Sequence, residues 1–392
     1  MTREEGAIPL RWRWAAWGCL AVTLASGTLL RYQWTGHAAI PLNARHLLHG
    51  HSHIALLGWA FIGVFGLILR GSRGRSPGIA RGVGEALLLL LIALLFVAFV
   101  QEGYGPRSIA LSTLHIAVSF GLVGAWFARG RTKVGEPARP WIELSLVWFV
   151  VGSIGPLMLA FGTRMGEAWI EAWVGYYLLL LFNGWLTFAL VGLLAERLRV
   201  EPARPARDAM AIGVLPMAFP LFGPWFEPWL GVGGLPWIAF AGALLFGGGV
   251  IVVAAQLGRK APGAGSPSAR LLLAGTLAAL ALSGILHAVG AVPGWAPHLR
   301  EVRSFVVGLV HLQLLGFVTA GLALLLLPVR QVGVGLLLAG SWAMIGILFW
   351  LGALELLGRP VLWPTQWVLT WTGVVALLGG LLLAPGPGGE AG

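Results

Sequence analysis

The feature that most constrains this chain is a series of long apolar runs that recurs along its whole length. Each run holds roughly 20 mostly apolar residues, which is the length a helix needs to cross the hydrocarbon core of a membrane. Hydrophobic residues make up 58% of the sequence and charged residues only 10%, whereas a soluble domain carries about 25% charged residues. The breaks between the runs are too short for a soluble domain. The sequence therefore predicts an all-α polytopic membrane protein with about 12 transmembrane helices.

The predicted spans form one integral membrane domain that covers residues 1–392. The seventh and eighth spans are the least regular, because prolines interrupt the seventh and glycines surround both. No small-residue cleavage site follows the first run, so we expect it to be a retained helix. The spans lie near residues 14–34, 46–69, 82–101, 107–128, 141–162, 168–195, 208–227, 233–257, 270–291, 304–328, 332–355 and 364–384.

Basic residues alternate between the two sides of these spans. Loops on the cytoplasmic side of a membrane accumulate Lys and Arg, and most of the 26 Lys and Arg residues fall in alternate connections, beginning with the N-terminal segment. This distribution predicts a multi-pass protein of a bacterial-type inner (plasma) membrane with both termini cytoplasmic. Topology and contact with anionic membrane lipid explain the net charge of +11, and nucleic-acid binding is not expected.

Cysteine chemistry is excluded, because the single cysteine, Cys19, lies inside the first span. Disulfides, iron–sulfur clusters and covalent C-x-x-C-H haem attachment all need more than one. Any metal must therefore be held by His, Met, Asn or carboxylate groups. The predicted topology places all nine histidines in outer loops or the outer halves of spans: His37, His46, His49, His51, His53, His115, His287, His298 and His311. Since ionisable groups inside a membrane usually mark a site, this distribution predicts one or two cofactors near the outer face.

Two histidines begin the same sequence word in different spans. His53 begins H-I-A-L-L-G-W in the second span, and His311 begins H-L-Q-L-L-G-F in the tenth. Both spans enter from the outer side, so the two imidazoles lie at similar depth, as axial ligation of one haem requires. The glycines of the two words, Gly58 and Gly316, would leave room for a flat macrocycle. The alternative is that they only let helices pack closely.

The segment before His53 is itself dense in histidine and reads R-H-L-L-H-G-H-S-H from Arg45. On a helix, His46, His49 and His53 share one face, whereas His51 points to the opposite side. His49 and His53 are four residues apart, a spacing that can chelate copper or zinc. The alternative for His46 and His49 is hydrogen bonding to propionates or to water at the membrane surface.

The twelve-span topology and the words His51-Ser52-His53 and Ala55-Leu56-Leu57-Gly58-Trp59 resemble subunit I of the haem-copper oxidase superfamily, which includes cytochrome c oxidases and nitric-oxide reductases. The resemblance covers the whole chain in topology and only about twenty residues in motif. It implies an oxidase-like bundle that binds haem, most simply a b-type haem. In that family, however, H-x-H lies on the tenth span and not on the second. The implied low-spin haem ligands are His53, or else His49 or His46, from span two and His311 from span ten.

The copper ligands of that family have no counterpart in this sequence. Spans six and seven, which supply them in the family, contain no histidine, and span ten contains none besides His311. The usual binuclear centre is therefore not expected. His115 on span four or His287 on span nine remains available to build a second haem or copper site with His51. Three outer arginines are suited to bidentate pairing with haem propionates: Arg45, Arg300 and Arg303.

These observations predict a haem-binding membrane protein that acts in electron transfer, in O2 or NO chemistry, or in sensing a diatomic gas. A bis-histidine haem has no open position, so oxidoreductase activity would need the second site. An external electron donor or partner subunit would have to supply electrons. The competing hypotheses are a secondary transporter and a haem or copper assembly factor. A transporter is disfavoured because Asn183 and Gln313 are the main polar residues at mid-membrane. Without haem, His49, His51 and His53 would be the centre of a copper or zinc site.

Overall fold

The computed structural model describes residues 8–37, 40–69, 79–130, 135, 137–159, 162–223, 225, 234–263, 265–360 and 364–386. Within these ranges the regular structure is helical and no residue is assigned to a strand. Eleven of the predicted spans match a helix whose ends lie within a few residues of the prediction. The main helices are α1 (Leu10–Gln33), α2 (Ala44–Leu69), α3 (Ile79–Glu102), α4 (Pro106–Ala128), α5 (Arg139–Leu159), α6 (Glu167–Leu198), α7 (Arg204–Val214), α8 (Leu235–Gly258), α9 (Pro267–Gly290), α10 (Arg303–Leu326), α11 (Gln331–Leu356) and α12 (Pro364–Leu382).

Ten of these helices are long and apolar enough to cross a membrane. The two outside this set are α1 and α7. Helix α1 has the length, but its arginines, tryptophans and small polar residues lower its mean hydropathy. Helix α7 is short, because Pro216 and Pro220 lack backbone donors and the chain continues as the 3-10 turn Pro216–Phe222. The predicted class, an all-α multi-pass membrane protein, is confirmed.

Three helices, α2, α6 and α10, form the interior of the bundle. In their most apolar stretches 83%, 89% and 67% of the residues are buried, against 22–50% in the other seven membrane-length helices. A helix that is apolar on every side is expected at the centre of such a bundle, where it has no polar face to expose. The remaining helices surround these three and present apolar side chains outward.

Close contacts join the three interior helices to one another. A Cβ at Gly63 of α2 would lie 2.7 Å from Leu322 of α10, and a Cβ at Gly321 of α10 would lie 2.6 Å from Leu190 of α6. Trp59 on α2 donates a hydrogen bond of 2.9 Å from Nε1 to Oγ1 of Thr319 on α10. Small residues that allow close approach and polar groups that pair across helices are the usual means of association in membranes.

Each interior helix changes from α to π geometry near its middle. The π segments are Ile54–Ala60, Leu180–Leu186 and Leu312–Thr319. Two of them begin directly after His53 and His311, and the third contains Asn183. A π turn takes an extra residue into the helix, which loosens the local hydrogen-bond ladder and commonly marks a functional site.

Helices α11 and α12 pack backbone against backbone at the outside of the bundle. A Cβ at Gly340 of α11 would overlap the backbone nitrogen of Ala376 on α12, and one at Gly379 of α12 would overlap that of Leu337. Glycine is therefore required at both positions for the helices to meet.

We predict that Gly340→Ala destabilises the bundle by about 1–3 kcal/mol, because the added methyl has no room between the two backbones. Gly346→Ala on the same helix is the matched control, since nothing lies within 4 Å of a Cβ at that position. Thermal unfolding of both variants in detergent measures the difference. Equal melting temperatures for the two variants would contradict the described packing of α11 on α12.

Candidate cofactor site

The histidine-rich start of α2 is set by a helix cap. The Asn43 side chain accepts hydrogen bonds from the backbone N–H groups of Arg45 (2.9 Å) and His46 (3.2 Å). This cap satisfies donors that the first turn of a helix otherwise leaves unpaired. Helix α2 therefore begins before its histidines and directs them to two different sides. The side chain of Arg45 is exposed at this end.

One side of α2 faces α3 and the loop that follows it. His46 donates from Nδ1 to the Gln101 carbonyl oxygen at 3.2 Å. The His49 ring meets Tyr104 edge to face with a centroid distance of 4.5 Å, and the His53 ring stacks on Phe99 at 3.7 Å. The shared face predicted for these three histidines is confirmed.

The opposite side of α2 carries His51 and faces α1. His51 donates from Nδ1 to the Thr23 carbonyl oxygen at 3.0 Å, and Ser26 Oγ lies 3.2 Å from the same nitrogen. A Cβ at Gly27 would lie 2.7 Å from the His51 ring. Gly27 thus provides the space in α1 that the imidazole occupies, and the predicted separation of His51 from His53 is confirmed.

The histidines of the interior helices share one hydrogen-bonding pattern. His53 and His311 each donate from Nδ1 to the carbonyl oxygen four residues earlier, at 2.8 Å in both cases, and His51 donates to the Thr23 carbonyl. Because a carbonyl oxygen can only accept, each Nδ1 carries the proton and each Nε2 keeps its lone pair. A histidine that binds a metal through Nε2 needs this tautomer. Such ligands usually donate their other ring N–H to a carbonyl or a carboxylate, as these histidines do.

His311 lies within electrostatic range of His51 and Arg31. Arg31, near the end of α1, is also close enough to Arg303 for the two guanidinium groups to repel each other, and it lies over the Trp34 ring at 5.2 Å. No described carboxylate forms an ion pair with Arg31 or Arg303. His51 and His311, each with an Nε2 lone pair, and Arg31 and Arg303 therefore influence one another electrostatically near the end of α1 and the start of α10.

His53 has a different neighbour, His115 on α4, which lies within electrostatic range of it. His115 is 1% exposed, and its ring contacts Phe61 edge to face with a centroid distance of 4.6 Å. Its Nε2 atom has no hydrogen-bond partner in the described part of the chain.

His287 belongs to a polar network inside the helix bundle. Gln313 donates from Nε2 to Asn183 Oδ1 at 2.8 Å, and Asn183 donates from Nδ2 to Nε2 of His287 at 3.0 Å. His287 in turn donates from Nδ1 to the Ser283 carbonyl at 2.6 Å. The network links α6, α9 and α10 and occupies both nitrogens of His287, which also lines a cavity of about 520 Å³ together with Arg300.

The pairing of His53 with His311 on one haem stays a prediction, and the groups that act electrostatically on His311 are Arg31 and His51. Neighbouring side chains fill the space beside Gly58 and Gly316. Cys19 Sγ would lie 3.1 Å from a Cβ at Gly58, and Ala279 Cβ would lie 2.9 Å from a Cβ at Gly316. The packing alternative is therefore favoured. His37 and His298 are exposed. No group of three or more His, Cys, Asp or Glu residues that could hold a metal occurs among the described residues.

Sequence reasoning missed Arg31 and Gly27. Arg31 is the one basic residue in the predicted first span, 14–34, which was a signal that it faces other protein groups and not lipid. Arg31 is more than 270 positions from His311 and Arg303 in the sequence. No pattern within a single span could therefore predict that these residues act on one another. Gly27 could not be distinguished from the many other glycines until the position of the His51 ring was known.

A comparison with known protein families finds no family model that matches this chain, and a comparison with curated protein sequences finds no relative. The fold defines the chain as an all-α, multi-pass membrane protein. Its function has to be argued from the residues themselves.

We predict that Asn183→Leu lowers the free energy of unfolding by about 1–3 kcal/mol, because Gln313 and His287 then each lose a buried partner. Gln313→Leu alone should have a smaller effect, since Asn183 keeps its bond to His287. The double variant should lose less than the sum of the two, because Asn183 and Gln313 share one network. Unfolding in detergent measures all three, and strictly additive losses would contradict the network.

Proposed function

We propose that this chain is a haem-binding integral membrane protein that acts in electron transfer. The haem is of b-type, held without covalent attachment, because Cys19 is the only cysteine. Nε2 of His51 and Nε2 of His311 would hold its iron. The site lies toward the outer face of a bundle similar to subunit I of the haem-copper oxidases, with both termini cytoplasmic and twelve spans including α1 and the proline-rich α7 segment.

The observation that carries this proposal is the group of Arg31, Arg303, His51 and His311. Arg31 is half-buried and Arg303 is exposed, and the repulsion between two such like charges is relieved when an anion lies between or beside them. The two propionates of a haem supply such anions, and planar guanidinium groups bind carboxylates in bidentate geometry. The same residues thus offer two free imidazole nitrogens for the iron and two cations for the propionates.

The choice of His51 over His53 follows from its surroundings. His51 is an electrostatic neighbour of His311, whereas His53 stacks on Phe99 and approaches His115 on the other side of α2. The tautomer does not distinguish the two, because His51, His53 and His311 each donate from Nδ1 to a carbonyl. Gly27 supports the fit, because any larger residue there would displace the His51 ring.

A haem with two histidine ligands moves single electrons and leaves no position for a gas. Within this proposal the residues of the chain hold the ligand nitrogens, neutralise the propionates and exclude water from the bundle. Reduction or sensing of O2 or NO would require a further site with an open position. An external donor or partner subunit delivers the electrons.

We predict that wild-type protein expressed with ample haem shows sharp reduced α and β absorption bands, and that His51→Ala and His311→Ala each remove them. His53→Ala should retain the bands, and His298→Ala is the control because His298 is exposed. Loss of the bands in His53→Ala with retention in His51→Ala would instead support a pair formed by His53 and His311. A featureless wild-type spectrum would overturn haem binding and favour a transporter.

We also predict that Arg31→Gln lowers the haem midpoint potential by about 20–60 mV, because removing a nearby cation favours the ferric state. Arg45→Gln is the matched control, since Arg45 is exposed at the start of α2. Potentiometric titration followed at the α band measures both variants. A shift in Arg45→Gln and none in Arg31→Gln would contradict the assignment of Arg31 to a propionate.

A further inference from the structure

We propose that the cavity between α9, α10 and α11 binds a long-chain carboxylate, the chemistry of a free fatty acid. The carboxylate pairs with Arg300, and the hydrocarbon chain lies inside the cavity. The cavity has a volume of about 520 Å³ and lies where α9 ends and α10 begins. The inference goes beyond electron transfer and does not depend on haem binding, because it uses neither His51 nor His311.

The walls of the cavity are almost entirely apolar. Helices α6, α8, α9, α10 and α11 contribute to them, together with the segment 291–300 that joins α9 to α10. The lining side chains include Met217, Leu286, Leu309 and Phe349. Ligand-binding cavities commonly have volumes of about 300–1,000 Å³ and mostly apolar walls, so this cavity has the size and lining that a hydrocarbon chain requires.

The cavity opens at the outside of the bundle. Trp295 and Leu356 both line it and are 63% and 50% exposed. Because these exposed side chains are apolar, a ligand dissolved in the lipid can reach the cavity without crossing a polar surface.

Only two ionisable side chains line the cavity, His287 and Arg300. Both nitrogens of His287 are already paired, since Nδ1 donates to the Ser283 carbonyl and Nε2 accepts from Asn183. Arg300 is exposed, and no carboxylate within the described ranges forms an ion pair with it. Desolvation by neighbouring protein atoms lowers the pKa of Arg300, and no charged group offsets this effect. Arg300 is therefore the charged group left for a ligand.

The hydrogen-bonding groups at the cavity select an anion. Arg300 can only donate hydrogen bonds, and so can the indole N–H of Trp295. The polar end of the ligand must therefore accept, and a negative charge matches the guanidinium. A planar guanidinium pairs with a carboxylate through two parallel hydrogen bonds. An apolar chain that ends in one carboxylate satisfies both the walls of the cavity and its single cation.

Other amphiphiles fit the cavity less well. A quinol needs a base for the protons that it releases on oxidation, and a haem needs an imidazole nitrogen for its iron. His287 offers neither, because both of its nitrogens are paired. An anionic phospholipid would also pair with Arg300, but it has a second chain and a larger headgroup to accommodate in the same volume.

The experiment places purified protein in phosphatidylcholine nanodiscs with palmitate that carries a photoactivatable diazirine on its chain. After irradiation, mass spectrometry of the digested protein locates and counts the label that unlabelled palmitate displaces. We expect at most one such label per wild-type chain, on residues that line the cavity such as Met217, Leu309 or Phe349. The methyl ester of palmitate has the same chain without the charge, so it should compete at least about 10-fold less well.

Four variants test the two parts of the site. Arg300→Gln should reduce the displaceable label at least about 10-fold, because a charged hydrogen-bonded pair is lost. Arg359→Gln is its matched control, since Arg359 is exposed and does not line the cavity. Gly290→Phe should block the cavity, because Gly290 lines it and nothing lies within 4 Å of a Cβ there. Gly346→Phe on α11 has equally open space and should be labelled as the wild type is.

Wild-type protein alone also tests the proposal, even where a variant fails to fold. Equal competition by palmitate and its methyl ester would overturn it, and so would displaceable label that lies only outside the cavity. Stronger competition by phosphatidylglycerol or by a quinone than by palmitate would assign the cavity to that ligand and refute the carboxylate. If the label behaves as expected but the wild type binds no haem, the proposed function fails and this inference stands.

Discussion

The requirement that every buried polar group find a partner governs how this chain uses its histidines. Inside a membrane bundle no water is available to hydrogen-bond a free imidazole N–H, so each ring donates to a carbonyl within reach. His53 and His311 use the carbonyl one turn earlier, and His51 uses α1. The consequence is chemical: pairing Nδ1 leaves Nε2 as a free lone pair, which is what a metal ion binds.

The histidines with free Nε2 lone pairs lie on α2 and α10, which form the interior of the bundle together with α6. The three helices pack through glycines and a tryptophan–threonine bond, and each changes to π geometry near its middle. Helix α6 carries Asn183 in its π segment and no histidine. The Asn183 side-chain amide is paired with both Gln313 and His287. The chain thus separates a structural polar network on α6 from the histidines of α2 and α10.

Helix α2 divides its histidines between two sides with different electrostatic character. His51 faces α1, where Arg31 and Arg303 supply positive charge without a described acidic partner. His53 faces Phe99 and His115 in apolar surroundings. An anionic cofactor suits the first side, whereas the second side is lined by aromatic rings. Because the two residues are only two positions apart, the period of the helix alone produces this separation.

Local sequence determined eleven of the twelve spans, the all-α membrane class and the opposite directions of His51 and His53, because hydropathy and helical period act over neighbouring residues. It could not determine that His51 and Arg31 act electrostatically on His311. These effects join α1, α2 and α10, and they depend on how whole helices rotate and pack. Gly58 and Gly316 make the same point: the shared word suggested a cofactor, whereas Cys19 of α1 and Ala279 of α9, remote in sequence, fill the space. Side-chain partners across helices are decided by tertiary packing alone.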